Sequence, residues 1–309
     1  MPVDGDQLIR RLAVLLIYQC MSVPTSGTTI LSGRHLPCFT CHKAPNSMPV
    51  SRPAAFVIVS SDHGVMIVNR NDFAARGGRF IGVGAQILNT QSFDKNEVNL
   101  VLSLLSKRRD IYGANIVALD CGANIGVHTV EWAKHIHGWG EVLAFEPQER
   151  IYYALAGNIA INNCLNARAT WSAVGSECGT IKIPKINYNL PASYGSLELR
   201  PSKKNEDIGQ PVEYDDESTY EVMLTSIDSL NLPRVDFIKI DVEGMELEVL
   251  RGAKQTLRRC EPMMLIEHIK NDKTDLQKTL KAAGYKWFEI GMNLLAVHKN
   301  DKIEISIKK

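Results

Sequence analysis

This sequence has no excess of charge of either sign: 35 Lys and Arg stand against 34 Asp and Glu in 309 residues, a net charge of +1. A chain that grips nucleic acid or an anionic membrane surface needs a basic field, so the balance argues against both and leaves only local patches. A membrane-spanning helix needs roughly 20 apolar residues. The run at residues 12–18, behind Arg10 and Arg11, is too short to be one. The cysteines are few, odd in number and scattered, at positions 20, 38, 41, 121, 164, 178 and 260. A chain of this size does not need stapling, so they read as reduced thiols in a cytoplasm rather than a disulfide framework. What is there is ordinary for a globular protein with a real core, 45% hydrophobic and 22% charged, long enough for one large domain or two modest ones.

Residues 1–53 differ from the rest. A short apolar run is followed by a stretch rich in Pro, Ser, Thr and Gly at residues 22–53, which reads as a poorly structured or helical leader. A weak secretory signal is the alternative. Cys38, Cys41 and His42 carry the C-x-x-C-H spacing of c-type haem attachment, but no axial ligand or second cysteine pair accompanies them. Met48 reads as an alternative start, which would make residues 1–47 dispensable for the fold.

Residues 54–110 read as an N-terminal β-hairpin and helix cap. Two β-rich runs, at residues 56–60 and 65–69, are joined through Ser61, Asp62, His63 and Gly64. Val98, Val101, Leu102 and Leu105 then repeat at helical spacing toward Lys107, Arg108 and Arg109, a basic cluster that suits the negative end of a helix.

Residues 111–300 form the main domain. Residues 116–119 are uninterrupted apolar, as in a parallel strand buried on both faces, and Asp120 to Gly126 make a small-residue turn into a helix marked by Val127, Val130 and Ala133. Strands at residues 142–145 and 167–174 flank a helix introduced by Pro147, which gives β-α-β-α-β and a parallel sheet. Near residues 184–220 regularity fades into a loop insertion of the kind that carries substrate contacts or a lid. A strand at residues 235–240, a helix at 243–259, a strand at 263–266 and a helix at 273–283 follow. Two strands joined by Gly291 close the chain as an antiparallel edge hairpin.

Ligands of doubly wound sheets bind outside the carboxyl ends of the strands. Those ends carry Asp120, Glu146, Asp241 and His268. Glu146 follows Asp120 near the roughly 20-residue offset at which an acid receives ribose hydroxyls, and a carboxylate accepts from both members of a diol. The loop with Gly122, Ala123, Asn124 and Gly126 lacks the three-glycine pattern of a pyrophosphate site, and Asp120 would repel a diphosphate. An acid there suits a cationic cofactor such as S-adenosylmethionine better than a nicotinamide dinucleotide.

Asp120-Cys-Gly-Ala-Asn-Ile-Gly126, Phe145-Glu146-Pro147, Ile227-Asp228-Ser229-Leu230, Asp236-Phe-Ile-Lys-Ile-Asp-Val-Glu-Gly-Met-Glu246, Val249-Leu250-Arg251-Gly252-Ala253, Pro262 and Glu267 occur in that order. Together they resemble the FkbM family of methyltransferases over roughly residues 116–268, most specifically at residues 239–246. The resemblance implies a class I, Rossmann-like α/β fold: a doubly wound, mostly parallel seven-stranded sheet with an antiparallel C-terminal edge hairpin. It also implies S-adenosylmethionine-dependent O-methylation of a hydroxyl on a sugar, glycolipid or natural-product acceptor. By position, Asp120, Gly122, Ala123, Asn124 and Gly126 resemble the cofactor loop and Glu146 the ribose acid. Cys121 stands where such loops often carry Val.

A hydroxyl becomes a competent nucleophile when a base within about 2.6–3.2 Å takes its proton. Asp241 is the expected key acid, as base or orienter, with Glu243 its partner and His268, one strand over, the third catalytic candidate. The plainer readings are that Asp241 caps the next helix through the Gly244 amide, that Glu243 and Glu246 are first-turn acids, and that His268 packs at a strand end. No metal site is expected, because Asp241, Glu243 and His268 span two strands without tight spacing. The expected partner is a small-molecule or carbohydrate acceptor. An NAD-dependent oxidoreductase and a non-catalytic nucleotide-binding module stay open as alternatives.

Overall fold

A computed structural model describes residues 53–202, 205–270 and 272–305. The expectations placed on residues 1–52, including Cys38, Cys41, His42 and Met48, lie outside the described residues.

Strands β1 (Phe56–Ser61) and β2 (Gly64–Asn69) form the expected antiparallel hairpin. Side chains of the main domain tie it down: Asn158 accepts from the Ile67 amide at 2.6 Å and donates to the carbonyls of Ile67 and Ile125 at 3.2 and 2.8 Å, and Asn162 Nδ2 donates to Val65 O at 2.7 Å. Next come a second short hairpin, β3 (Ala74–Arg76) with β4 (Arg79–Ile81), and helices α1 (Val83–Thr90) and α2 (Lys95–Tyr112). Within the basic cluster at the end of α2, Arg109 is the last-turn cation, while Arg108 is buried and reaches Asp301 at 2.7 Å and Asp236 at 3.5 Å, so it serves as a structural ion pair as well.

The remaining elements are β5 (Ile116–Cys121), α3 (Val127–His135), β6 (Gly140–Glu146), α4 (Glu149–Ile161), β7 (Ala167–Trp171), β8 (Ala173–Val174), β9 (Gly179–Pro184) and β10 (Thr219–Thr225). After them come β11 (Phe237–Ile240), α5 (Glu246–Arg251), α6 (Lys254–Cys260), β12 (Met263–Glu267), α7 (Lys273–Ala282), β13 (Tyr285–Ile290) and β14 (Asn293–His298). The main sheet has seven strands in the order β13-β14-β12-β11-β5-β6-β7. Strands β12, β11, β5, β6 and β7 are mutually parallel, and β14 runs antiparallel to both β12 and β13. This is the doubly wound, Rossmann-like sheet with an antiparallel edge.

Alternation along the strands explains the two layers, because successive side chains leave opposite faces. Val117, Leu119, Ile238, Ile240, Met264 and Ile266 join Val249, Leu250, Leu276 and Leu280 of α5 and α7 in one core. Ile116, Ala118, Phe237, Met263 and Leu265 join Leu105 of α2 and Trp132 of α3 in the other. Every residue of β5 and β11 is buried, as a strand covered on both faces requires.

Two expectations on element boundaries change. The strand read at residues 167–174 breaks at Ser172, where β8 leaves to pair with β10 in a separate three-stranded sheet, β8-β10-β9. The helix read at residues 243–259 divides into α5 and α6. Its cause is Asp228, whose carboxylate accepts from the amides of Gln255 and Thr256 at 2.9 and 2.8 Å and so caps a new helix start. The insertion leaves from β9 and returns through β10, and among its described residues the one regular piece is a short 3-10 turn at Tyr194–Ser196. Buried Asp72 pins that turn to α1 by accepting from Tyr194 N at 3.1 Å and Gly84 N at 2.9 Å.

Candidate active site

The site begins where β5 ends. Gly122 has φ +83° and lies so close to the end of β11 that a Cβ on it would sit 1.7 Å from the Asp241 carbonyl oxygen. Only glycine permits that approach, and it brings the turn after β5 against Asp241. The amides of Gly122 and Ala123 donate to Phe145 O at 3.0 and 2.9 Å. One residue on, Asn124 N donates to Glu146 Oε2 at 2.9 Å, and Gln148 N donates to Oε1 at 2.8 Å. The turn and the acid are therefore one hydrogen-bonded unit. Burial pushes the Glu146 carboxyl up to about 7 although both amides act to lower it. Each of its oxygens retains a lone pair for a further donor.

Asp120 is 1% exposed and accepts from Thr129 Oγ1 at 2.6 Å on Oδ2, while Oδ1 has no partner among the described residues. Lys239, buried on β11, holds Asp241 Oδ2 at 2.6 Å. Burial alone would favour a neutral lysine, but Asp241, Asp120 and Glu97 outweigh it and its pKa is raised. Lys270 holds Glu243 at 2.5 Å. Burial first, then Asp241, pushes the carboxyls of Glu243 and Glu267 up, which favours their protonated forms. Asp241, Glu243 and Glu267 each offer an oxygen within 4.8 Å of the others. Three carboxylates could hold a hard cation, yet two of these already face an ammonium group.

These groups line one cavity of about 600 Å³, within the range of small-molecule sites. Asp120, Gly122, Ala123, Asn124, Glu146, Asp241 and Glu243 all lie in its wall. Gly126 and His268 do not. Gly126 instead has φ +87° ahead of α3, where a Cβ would meet Leu155 Cδ1 at 2.5 Å, so its work is packing. The structure departs from the expectation for His268: β12 ends at Glu267, which lines the cavity, and His268, the next residue, is not among the lining residues. The capping reading of Asp241 is corrected too, since the amides of Val242 and Gly244 donate to Glu246 Oε1, both at 3.2 Å.

The sequence reading missed the histidine that is in the wall. His128, the second residue of α3 and 6% exposed, lines the cavity. Its Nε2 is 3.2 Å from Glu97 Oε1, Glu97 Oε2 accepts from Asn293 Nδ2 at 2.6 Å, and Nδ1 is buried with no partner among the described residues. Its place two residues after Gly126, beside Thr129 in the first turn of α3, was the available signal. Phe80, Ile81, Gln86 and Phe93, from the stretch between the N-terminal hairpin and α2, complete the wall and had none.

The family described as "Methyltransferase FkbM domain" matches residues 120–287. Among curated proteins, the chain is 30% identical over 165 residues to methyltransferase sdnD of Sordaria araneosa, covering 46% of this chain and 62% of that protein. It is 28% identical over 169 residues to the hexuronic acid methyltransferase AglP of Haloferax volcanii, covering 54% and 62%. The chain thus spans about three fifths of the length of these curated relatives, 62% in each case. A solved structure of methyltransferase FkbM from Methylobacillus flagellatus aligns with a TM-score of 0.43 at 18% identity, covering 60% of this chain and 44% of that one.

Proposed function

The chain belongs to the FkbM family of methyltransferases, and from that premise we propose that it transfers a methyl group from S-adenosylmethionine to a hydroxyl oxygen of a small-molecule or carbohydrate acceptor. The observation that carries this reading is the unit made by Gly122, Asn124 and Glu146: a turn pressed against β11 whose own amide presents a buried carboxylate to the cavity. That carboxylate has the acceptor capacity for a ribose diol. The orphaned oxygen of Asp120 fits a cationic amino-acid end and would not suit a diphosphate.

When bound, S-adenosylmethionine supplies a methyl carbon activated by a positive sulfur. The rest falls to the chain. Glu146 receives the ribose hydroxyls, and Asp120 and Asp241 set a negative potential near the cationic end. Asp241 serves as an orienter here, because Lys239 already holds its carboxylate. Glu243 is engaged by Lys270, and burial first, then Asp241, pushes its carboxyl and that of Glu267 up. His128 is the proposed acceptor of the proton after a turn of its imidazole, since Nε2 faces Glu97 and the unpartnered Nδ1 is buried in the free protein; Glu97, held by Asn293, would steady the charge it gains. With the cofactor bound, the acceptor oxygen would gain the methyl as the sulfur–methyl bond breaks and neutral S-adenosylhomocysteine leaves, while the hydroxyl proton would go to His128 and then to solvent. Among the described residues Cys121, Cys164, Cys178 and Cys260 form no disulfide with one another, which fits a reducing cytoplasm as the place of action. Among the described residues no helix is long and apolar enough to cross a membrane.

Calorimetry with S-adenosylhomocysteine and with NAD, followed by tritiated-methyl transfer against sugars, uronic acids, glycolipids and polyketides, tests the reading. The expected result is binding of S-adenosylhomocysteine, none of NAD, and label recovered as a methyl ether. NAD binding in its place would return the oxidoreductase alternative. Tight S-adenosylhomocysteine binding with no transfer to any acceptor would favour a non-catalytic module.

A further inference from the structure

We propose that the acceptor is amphipathic, with a hydroxyl-bearing polar head beside His128 and an apolar arm laid across Phe80, Ile81 and Met292. The inference rests on the methyltransferase reading and narrows its substrate. Phe80, Ile81 and Met292 line the same cavity as the cofactor turn and yet are 66%, 41% and 57% exposed. They converge from separate elements, two from β4 and one from the turn between β13 and β14. Phe80 is braced edge-on by Phe73, with ring centroids 5.4 Å apart. Large apolar side chains left in water on the wall of a concave site gain their burial from the ligand. Polar groups share the cavity with them: His128 lines it together with Asp94, which it influences by charge, and with Gln86, the hydrogen-bond partner of Asp94. A free sugar would satisfy that end and leave the apolar wall wet. An arm of several carbons covers it.

The test is calorimetry on the full chain loaded with S-adenosylhomocysteine, titrated with methyl, butyl, hexyl and octyl β-D-glucoside below micelle formation. Affinity should rise about two- to fourfold per added methylene until the wall is covered. The double variant Phe80→Ser with Met292→Ser, at two exposed positions, should abolish that dependence, and its own titration with S-adenosylhomocysteine reports that it is folded. Equal affinity for methyl and octyl glucoside, no binding of any glucoside, or an unchanged dependence in the double variant overturns the proposal. Failure to bind S-adenosylhomocysteine would instead overturn the methyltransferase reading. Binding it with a flat glucoside series overturns the amphipathic acceptor alone.

Discussion

Lowering the pH should weaken cofactor binding through one residue, Glu146. Burial holds its carboxyl at about 7 in the free protein, well above the ordinary 4.5, against the lowering effect of the Gln148 and Asn124 amides. Only the ionised form accepts from both hydroxyls of a ribose, so binding selects the carboxylate. Apparent Kd then scales with one plus the ratio of protonated to ionised carboxyl. Between pH 8 and pH 6 that factor grows about tenfold. At pH 6 binding should release close to one proton, seen as a calorimetric enthalpy that changes with the ionisation enthalpy of the buffer. The sign for stability follows from the raised pKa. Below about 4.5 folded and unfolded states are both protonated, and between about 4.5 and 7 the unfolded state ionises first, so the folded protein loses stability as pH rises through that window. Cofactor should offset that loss. Glu146→Gln removes the titration and one of the two amide contacts, at a cost of about 1–3 kcal/mol, and should leave a weaker affinity that no longer depends on pH. A flat Kd for S-adenosylhomocysteine from pH 6 to 8 in the unaltered protein, or the same slope in Glu146→Gln, would refute the reasoning.

His128→Gln should lower turnover by about 10²-fold or more while S-adenosylhomocysteine affinity stays within about twofold, and Glu97→Gln should lose a smaller part of the rate; wild-type turnover in His128→Gln would return the imidazole to a packing role. Gly122→Ala must place a methyl 1.7 Å from the Asp241 carbonyl in a left-handed backbone, so about 2–4 kcal/mol of stability and most cofactor affinity should go, read by urea denaturation and calorimetry. An unchanged urea midpoint would contradict the close approach. Arg108→Met leaves Asp301 and Asp236 buried without that guanidinium and should cost about 3 kcal/mol, since Arg234 still holds Asp236 at 2.7 Å. A Tm equal to the parent's would show the pair to be dispensable.

Much of the fold was legible because its determinants are local. A run such as residues 116–119 needs two covered faces, and Asp120 to Gly126 carry their meaning in their spacing alone. The order of strands then placed Asp120, Glu146 and Asp241 at one sheet edge without any knowledge of packing. The division of α5 from α6 was not legible, because the residue that causes it, Asp228, lies outside both helices and acts across space. The same holds for Arg108, whose partners Asp236 and Asp301 are far away in the chain.

By itself the sequence determined the α/β class and marked the glycine turn after β5 and the acid Glu146, which the structure joins by a hydrogen bond, since these follow from side-chain periodicity and from the freedom of glycine. Only the tertiary structure decided which face of each strand end meets the cavity. It turned Glu267 rather than His268 toward the site, gathered His128, Glu97 and Asn293 from three distant elements, and set Lys239 among Asp241, Asp120 and Glu97. The physical reason is common to all three. A carboxylate or imidazole acquires its role from the water it loses and the charges it meets, and both are fixed by chain crossovers that bring remote residues together, for which no local pattern in the sequence stands as a sign.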